Sequence, residues 1–188
     1  AGAGAGAEVP GSLHDHVTAM HRGGDGAEGR TGVRDKGKGL SEIGVARIRL
    51  GSQGWNYPAW VGPFYPPRTR AADFLSTYAR AFDTVEVDST FYAVPAAKTV
   101  RGWHDRTPAD FAFALKLPQE ITHELRFVGA QDVAQRFFDV ARELGPKLGP
   151  VLIQCGPDFA PSERDALEEF LVALPKDIAF AIEFRQRG

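Results

Sequence analysis

Five short apolar runs alternate with four helical patterns, and this alternation is the feature that most limits the folds open to the chain. The runs cover residues 47–51, 84–90, 111–117, 151–155 and 178–184. Apolar residues at helical spacing lie between them, at 66–82, 98–105 and 131–144. A fourth helical pattern begins with Ser162 and Asp165, which resemble a capping box. Strands that alternate with helices in this way are typical of a parallel α/β sheet.

The two faces of these strands carry different kinds of residue. In the fifth run Phe180 and Ile182 alternate with Ala181 and Glu183, and the second and third runs alternate in the same way. A doubly wound sheet, which is covered by helices on both sides, is expected to be apolar on both faces. One bulky apolar face, opposite a small face that turns polar at its carboxyl end, favours a TIM-type (β/α) barrel. The doubly wound sheet is the alternative.

Chain length and composition suggest how much of such a barrel is present. A complete TIM-type barrel has eight strands and about 250 residues, whereas this chain has 188 residues. We therefore expect a barrel truncated after about five strands, with a complete five-stranded domain as the alternative. Residues 1–46 hold 12 of the 21 glycines and no aromatic residue. This bias predicts a disordered Gly/Ala-rich extension over 1–44 and the barrel domain over 45–188.

Charge and cysteine content narrow the classes of function. The net charge is −2, from 22 basic and 24 acidic residues, so no basic excess indicates a nucleic-acid partner. The single cysteine, Cys155, excludes an intramolecular disulfide and a multi-cysteine zinc site, and it is expected to be a buried small residue. No apolar run approaches the roughly 18 residues of a membrane helix. We expect a cytoplasmic protein without a membrane partner.

Two patterns in the Gly-rich extension resemble ligand sites but lack essential parts. Residues 32–38 match the start of a phosphate-binding loop, yet Gly39 stands where a hydroxyl should hold magnesium. His14, His16 and His21 lie in a Gly-rich segment that does not preorganise a metal site. Neither pattern is interpreted as a site.

Polar side chains gather at the inward positions near the carboxyl ends of the predicted strands. These residues are Glu86, Asp88, Lys116, Gln154, Glu183 and Arg185. Active sites of barrel enzymes lie at this end, and charges confined there perturb one another's pKa. The catalytic candidates are Glu86, Lys116 and Glu183. An alternative is that these charges form an ion-pair network that fills the interior without reacting.

Each catalytic candidate suits a particular chemistry. Glu86 and Glu183 are a candidate acid–base pair of the kind used in glycoside hydrolysis. Lys116 suits the neutralisation of a phosphate or, if desolvated, a role as an amine nucleophile. The candidate substrate-binding residues are Asp88, Gln154, Arg185 and His123, of which His123 also suits a general base or a metal ligand.

Five aromatic residues lie in the loop after the first strand, at positions 55, 57, 60, 64 and 65. Trp55 and Tyr57 are further candidates for substrate binding, because aromatic rings stack on sugars and nucleobases. For Trp60 and Phe64 we favour a hydrophobic lid over the end of the sheet.

Six strings, in order, resemble the YecE-like family, also called domain of unknown function 72. They are GSQGWNYPAWVGPFYP at 51–66, VEVDSTFY at 85–92, FAFALK at 111–116, ITH at 121–123, LGPVLIQ at 148–154 and IEFR at 182–185. The resemblance implies a TIM-type barrel and no established activity. The chain departs from the family pattern at Gln53, where Ser is usual, at Asp88, where Asn is usual, and at Cys155 and Gly156, which replace Leu-Pro.

The candidate site leads to three hypotheses of function. The first is a hydrolase that acts on a sugar-containing or phosphorylated substrate at the carboxyl-end mouth. The second, by analogy of fold alone, is a barrel protein that binds nucleic acid or takes part in DNA repair. The third is a non-enzymatic binding protein. The sequence assigns no cofactor, no metal and no oligomeric state.

Overall fold

Six strands form the framework of the computed structural model, which describes residues 17–21 and 48–185. Four of them pair in parallel in their order along the chain: β3 (Thr84–Val87), β4 (Ala112–Lys116), β5 (Leu148–Gln154) and β6 (Phe180–Glu183). β2 (Ile48–Ser52) leads into the same sheet, because Gln53 bridges to Glu86 in parallel and the amide of Gly54 donates to the carbonyl of Glu86 at 2.8 Å. The fold is therefore mixed α/β with a parallel sheet, as predicted.

One position of β2 is restricted to glycine by the closeness of β3. A Cβ atom on Gly51 would lie 2.1 Å from the carbonyl oxygen of Thr84, which no side chain tolerates. The outer edge of β2 pairs antiparallel with β1 (Val17–His21), in a register that matches Val17 with Ser52 and His21 with Ile48.

β1 falls within the segment predicted to be a disordered extension. The disordered extension stays a prediction here too; the edge of β2 supplies backbone partners for these five residues, which a composition argument does not consider. The rest of 1–44, including the string at 32–38, His14 and His16, lies outside the described residues, and the boundary at 44 stays a prediction.

Five α-helices follow the strands: α1 (Phe74–Tyr78), α2 (Ser89–Tyr92), α3 (Ala97–Asp105), α4 (Gln131–Ala141) and α5 (Arg164–Val172). They cover the bulky face of the sheet. Val85, Val87, Phe113, Leu115 and Ile153 on this face are all at most 1% exposed. On the opposite face Ala112 is half-buried and Ala114 is buried, and in β6 both Ala181 and Ile182 are exposed. The bulky face is therefore buried in β3, β4 and β5, as predicted, but not at Ile182 in β6.

Three predicted boundaries were wrong. The helix expected over 66–82 is reduced to a 3-10 turn and α1, because Arg68 has a positive φ of 67° and interrupts a helix after the two prolines. The strand expected over 84–90 ends at Val87, since Asp88 turns into helical backbone and α2 follows. The carboxylate that caps the turn before α5 is Glu163, which accepts the amide of Ala160, and not Asp165.

Candidate active site at the carboxyl ends of the strands

Lys116 is the centre of the site. It is the last residue of β4, and its side chain is only 8% exposed. Its Nζ lies 2.9 Å from Oδ1 of Asp88 and 3.3 Å from Oε1 of Glu86, two residues that the end of β3 places beside it. Its ammonium group also lies over the ring of Phe91, 6.0 Å from the ring centre. These contacts bring together Glu86, Asp88 and Lys116, three of the six residues that the sequence predicts to gather.

Lys116 is held as a cation. Burial lowers its pKa, but the hydrogen bond and charge of Asp88 and those of Glu86 together outweigh burial, so that its pKa lies above the ordinary value. An amine nucleophile needs the opposite shift. The contacts therefore favour Lys116 as a fixed positive charge over Lys116 as a nucleophile.

Tyr57 is half-buried in the loop after β2. Its hydroxyl donates to the carbonyl of Gln53 at 2.7 Å. Burial raises its pKa, the charge of Asp88 raises it further, and the charge of Lys116 lowers it. We call Lys116, Glu86, Asp88, Tyr57 and Phe91 the Lys116 cluster.

His123 extends the site towards β5. It lies in a single π-helical turn after β4 (Glu120–Glu124), and its ring contacts Phe91 edge-on at 5.2 Å. Its Nδ1 lies 2.7 Å from the hydroxyl of Thr122. A Cβ on Gly156 would lie 3.6 Å from its Nε2, so that the imidazole rests against the backbone after β5. The ring of Phe91 separates His123 from Lys116.

The remaining three candidates form a separate group, which we call the Glu183 cluster. Nε2 of Gln154 donates to Oε2 of Glu183 at 2.7 Å, and Nε of Arg185 lies 3.6 Å from Oε1 of the same carboxylate. Glu183 is 44% exposed, far more than Glu86 at 14%. The sequence predicts one group of six residues, whereas the described contacts join these three to one another and join Glu86, Asp88 and Lys116 separately.

Glu86 and Glu183 belong to different clusters. Two strands separate β3 from β6, which amounts to about 14 Å measured along the sheet at the usual strand spacing. The strand register adds to the separation. On β5 the partner of Lys116 is Leu152, whereas the partner of Glu183 is Gln154, which lies two residues closer to the carboxyl end of the strand. The described contacts thus favour Asp88 rather than Glu183 as the carboxylate that acts together with Glu86.

Trp55 points away from both clusters. Its ring packs edge-on against the core rings of Trp103 and Phe113, at 5.6 and 6.4 Å. Trp60 is 9% exposed and contacts Phe64 at 5.7 Å, in keeping with the predicted hydrophobic lid. Tyr57, the other aromatic binding candidate, packs against Trp60 with ring centres 4.7 Å apart.

Cys155 is fully buried, as expected, and burial raises the pKa of its thiol, as do the charges of Glu163 and Glu183. It therefore stays a protonated thiol rather than a nucleophile. Among residues 48–185 no group of three or more His, Cys, Asp or Glu side chains is arranged to hold a metal ion.

Sequence reasoning missed Thr90. This residue is fully buried, and its hydroxyl lies within hydrogen-bond distance of the backbone at both Val87 and Lys116. The string VEVDSTFY contains it, but a threonine two residues after a charged position carries no signal of a contact across the sheet.

Two cavities, of about 250 and 510 Å³, lie at the opposite end of the sheet. The larger is lined largely by apolar residues such as Ile48, Leu50 and Phe111, and the lining of the smaller includes the ion pair of Arg142 with Asp177. Ligands of parallel α/β sheets bind at the carboxyl ends of the strands. The Lys116 cluster is therefore the better candidate.

Comparison with known proteins identifies the family. The sequence model described as "Protein of unknown function DUF72" matches residues 49–188. The chain belongs to the DUF72 family. It is 32% identical over 138 residues to the UPF0759 protein YecE of Escherichia coli K12, which covers 73% of this chain and 48% of that protein. It is 33% identical over 148 residues to the UPF0759 protein YunF of Bacillus subtilis 168, and this match covers 75% of this chain and 51% of that protein.

Solved structures agree with this assignment. Two crystal structures of a DUF72 family protein from Enterococcus faecalis V583 superpose on the chain with TM-scores of 0.53 and 0.58. The first is 26% identical in sequence, and the match covers 62% of this chain and 49% of the other chain. The second is 21% identical, its match covers 70% of this chain and 48% of the other, and at this identity it shows the fold alone. This DUF72 chain thus spans about half the length of its relatives. No helix within 48–185 is long and apolar enough to cross a membrane.

Proposed function

We propose that this chain is part of a TIM-type barrel and contributes to a hydrolase site for a sugar-containing substrate at the carboxyl ends of its strands. One observation carries the proposal: the Lys116 cation, 8% exposed, is held between Glu86 and Asp88 where such enzymes place their chemistry. The parallel strand order and the two unlike faces support the barrel. Cytoplasmic location is a further prediction, supported by the single cysteine.

The charges favour a neutral polyhydroxyl substrate over a phosphorylated one. The two clusters hold three carboxylates, of Glu86, Asp88 and Glu183, against the two cations of Lys116 and Arg185. A surplus of negative charge repels a phosphate, whereas carboxylates accept hydrogen bonds from sugar hydroxyls. Tyr57 is the candidate for stacking on the same substrate.

Glu86 and Lys116 divide the chemistry. Glu86 accepts a proton from the attacking water as the water oxygen bonds to the substrate carbon, and it passes that proton to the departing oxygen as the bond to this oxygen breaks. Lys116 orients Glu86 and stabilises the negative charge that develops on the departing oxygen. Asp88 binds substrate hydroxyls and keeps Lys116 protonated. His123, Gln154 and Arg185 lie at positions suited to the far end of the substrate.

The test is a hydrolysis screen with p-nitrophenyl glycosides, sugar esters and p-nitrophenyl phosphate. On a substrate that the wild type cleaves, Glu86→Gln is expected to lower kcat by about 100-fold or more. Glu168→Gln, an exposed carboxylate on α5 that pairs with Arg164, is the matched control and leaves kcat unchanged. Full activity of Glu86→Gln contradicts the assignment of Glu86, and preference for the phosphate ester contradicts the substrate class.

A further inference from the structure

Regular pairing between β3 and β4 stops one residue before Lys116. The last matched pair is Val87 with Leu115, because the backbone of Asp88 leaves the strand with φ −70° and ψ −28°. On the side of β4 that faces β5 the sheet continues, because the amide of Leu117 donates to the carbonyl of Leu152 at 2.9 Å. The backbone groups of Lys116 that face β3 therefore need another partner.

The hydroxyl of Thr90 supplies it. Its oxygen accepts the amide of Lys116 at 3.0 Å, and its single proton is within reach of the carbonyl of Lys116 at 2.8 Å and of Val87 at 2.9 Å. Thr90 is fully buried, so water does not compete for these bonds. One side chain thus fastens the turn after β3 to the end of β4.

We propose that Thr90 is the positioning residue of the Lys116 cluster, and that its hydroxyl sets the distance between Asp88 and the Lys116 ammonium group. Asp88 lies between Val87 and Thr90, so the turn that carries its carboxylate is fixed at both ends. Phe91, which follows Thr90, is fixed over the same ammonium. The inference rests on the proposed function of this cluster, but its test needs no substrate.

The experiment measures the pKa of Lys116 in the full chain by NMR of protein labelled with ¹³C-lysine. The chain has six lysines, and the signal that is lost in Lys116→Met identifies the one to follow. Thr90→Val and Thr90→Ala both remove the hydroxyl, and each is expected to lower the pKa of Lys116 by about one unit, because the carboxylate contact that raises it lengthens. Thr90→Ser keeps the hydroxyl and restores the wild-type pKa.

Thr84→Val is the matched control. The hydroxyl of Thr84 donates to the carbonyl of Ala112 at 3.0 Å, so it links the same two strands at their other end, and the residue is equally buried at 1% exposure. A purely structural loss therefore occurs in this variant too, but the pKa of Lys116 is expected to stay unchanged.

Two results overturn the inference: a wild-type pKa of Lys116 in folded Thr90→Ala, or an equal drop in Thr84→Val. If Thr90→Val does not fold, the comparison of Thr90→Ala with Thr90→Ser decides. These outcomes do not depend on hydrolysis, so that failure of the hydrolase proposal and failure of the positioning role are told apart by separate measurements.

Discussion

Two buried lysines lie at opposite ends of the sheet, and their surroundings differ in charge. Lys116, at the end of β4, contacts two carboxylates. Lys147, just before β5, is 5% exposed and donates to the carbonyls of His104 and Thr107 and to the Thr107 hydroxyl, the last two at 2.7 and 3.2 Å. It thereby satisfies the backbone at the carboxyl end of α3, where helix carbonyls lack partners.

The pKa values of the two lysines shift in opposite directions although both are buried. Burial lowers the pKa of Lys147, and the charge of Asp105 opposes this only in part. For Lys116 the carboxylates more than compensate for burial, and its pKa rises. Burial alone therefore does not distinguish a functional lysine from a structural one; the groups that the ammonium contacts do. Lys147 donates to carbonyls that lack a partner at the end of a helix, whereas the carboxylates around Lys116 form a charged site with it.

The largest effect is expected for Lys116→Met. Glu86 and Asp88, which are 14% and 31% exposed, are left facing each other without a cation. We expect a loss of about 3 kcal/mol in the free energy of unfolding, because an uncompensated partly buried charge is costly. Urea unfolding at pH 7 measures it.

Lys98→Met is the control for that variant. Lys98 is an exposed residue of α3, and its replacement is expected to change stability by less than about 0.5 kcal/mol. A Lys116→Met protein as stable as the control would mean that the carboxylates need no cation, and the contrast between the two lysines would lose its basis.

Lys147→Met is expected to lower the free energy of unfolding by less, about 2 kcal/mol. The variant loses the hydrogen bonds of a charged donor, but it no longer has to bury that charge. Urea unfolding checks the value. Hydrolytic activity is expected to be unchanged, since Lys147 lies at the amino-terminal side of the sheet. A fall in kcat without a fall in stability would contradict a purely structural role for this end of the molecule.

The pH dependence of stability gives the two lysines opposite signs. Lys116 has a raised pKa in the folded chain, so its contribution is complete below its ordinary pKa of 10.5 and is lost as pH rises through its folded value. Lys147 has a lowered pKa, so stability increases as pH rises from its folded value towards 10.5. Stability differences between wild type and each Met variant, measured from pH 8 to 11, are expected to change in these opposite directions; a common sign contradicts the comparison.

Local sequence patterns predicted the sheet and most of the site, because they depend on neighbours along the strand. Alternation placed Glu86 and Lys116 on the small face, and the burial of Val85, Val87, Phe113 and Leu115 confirms it. The separation of Glu86 from Glu183 was not predictable in this way. It depends on register across two intervening strands, which no pattern within a single strand specifies.

Contacts that cross between elements were missed for the same reason. Nothing in the run at 84–90 indicates that Asp88 leaves the strand, yet that turn is what brings the hydroxyl of Thr90 to Lys116. The role of Lys147 was also invisible, since its partners at His104 and Thr107 are about forty residues away in the chain. The conformation at Asp88 and the contacts of Thr90 and Lys147 depend on tertiary packing, which the local sequence does not specify.

The smallest effect is expected for Asp88→Asn, at the position where the family resemblance has Asn. The amide oxygen still accepts a hydrogen bond from Lys116, so only the charge is removed, and Asp88 is partly hydrated. We expect a loss of about 0.5 kcal/mol in urea unfolding and a lower pKa of Lys116, because Asp88 contributes to raising it. Glu86→Gln, at a less exposed position, is expected to lose more stability.

Activity separates the two carboxylates more sharply than stability does. If Glu86 accepts the proton from water and Asp88 only binds substrate, Asp88→Asn raises KM and leaves kcat within a few-fold of wild type, whereas Glu86→Gln lowers kcat. A loss of kcat in Asp88→Asn as large as in Glu86→Gln would show that both carboxylates take part in the chemistry. The Lys116 cation would then orient a catalytic pair, and the charge that distinguishes this chain from the family pattern would be part of its reaction.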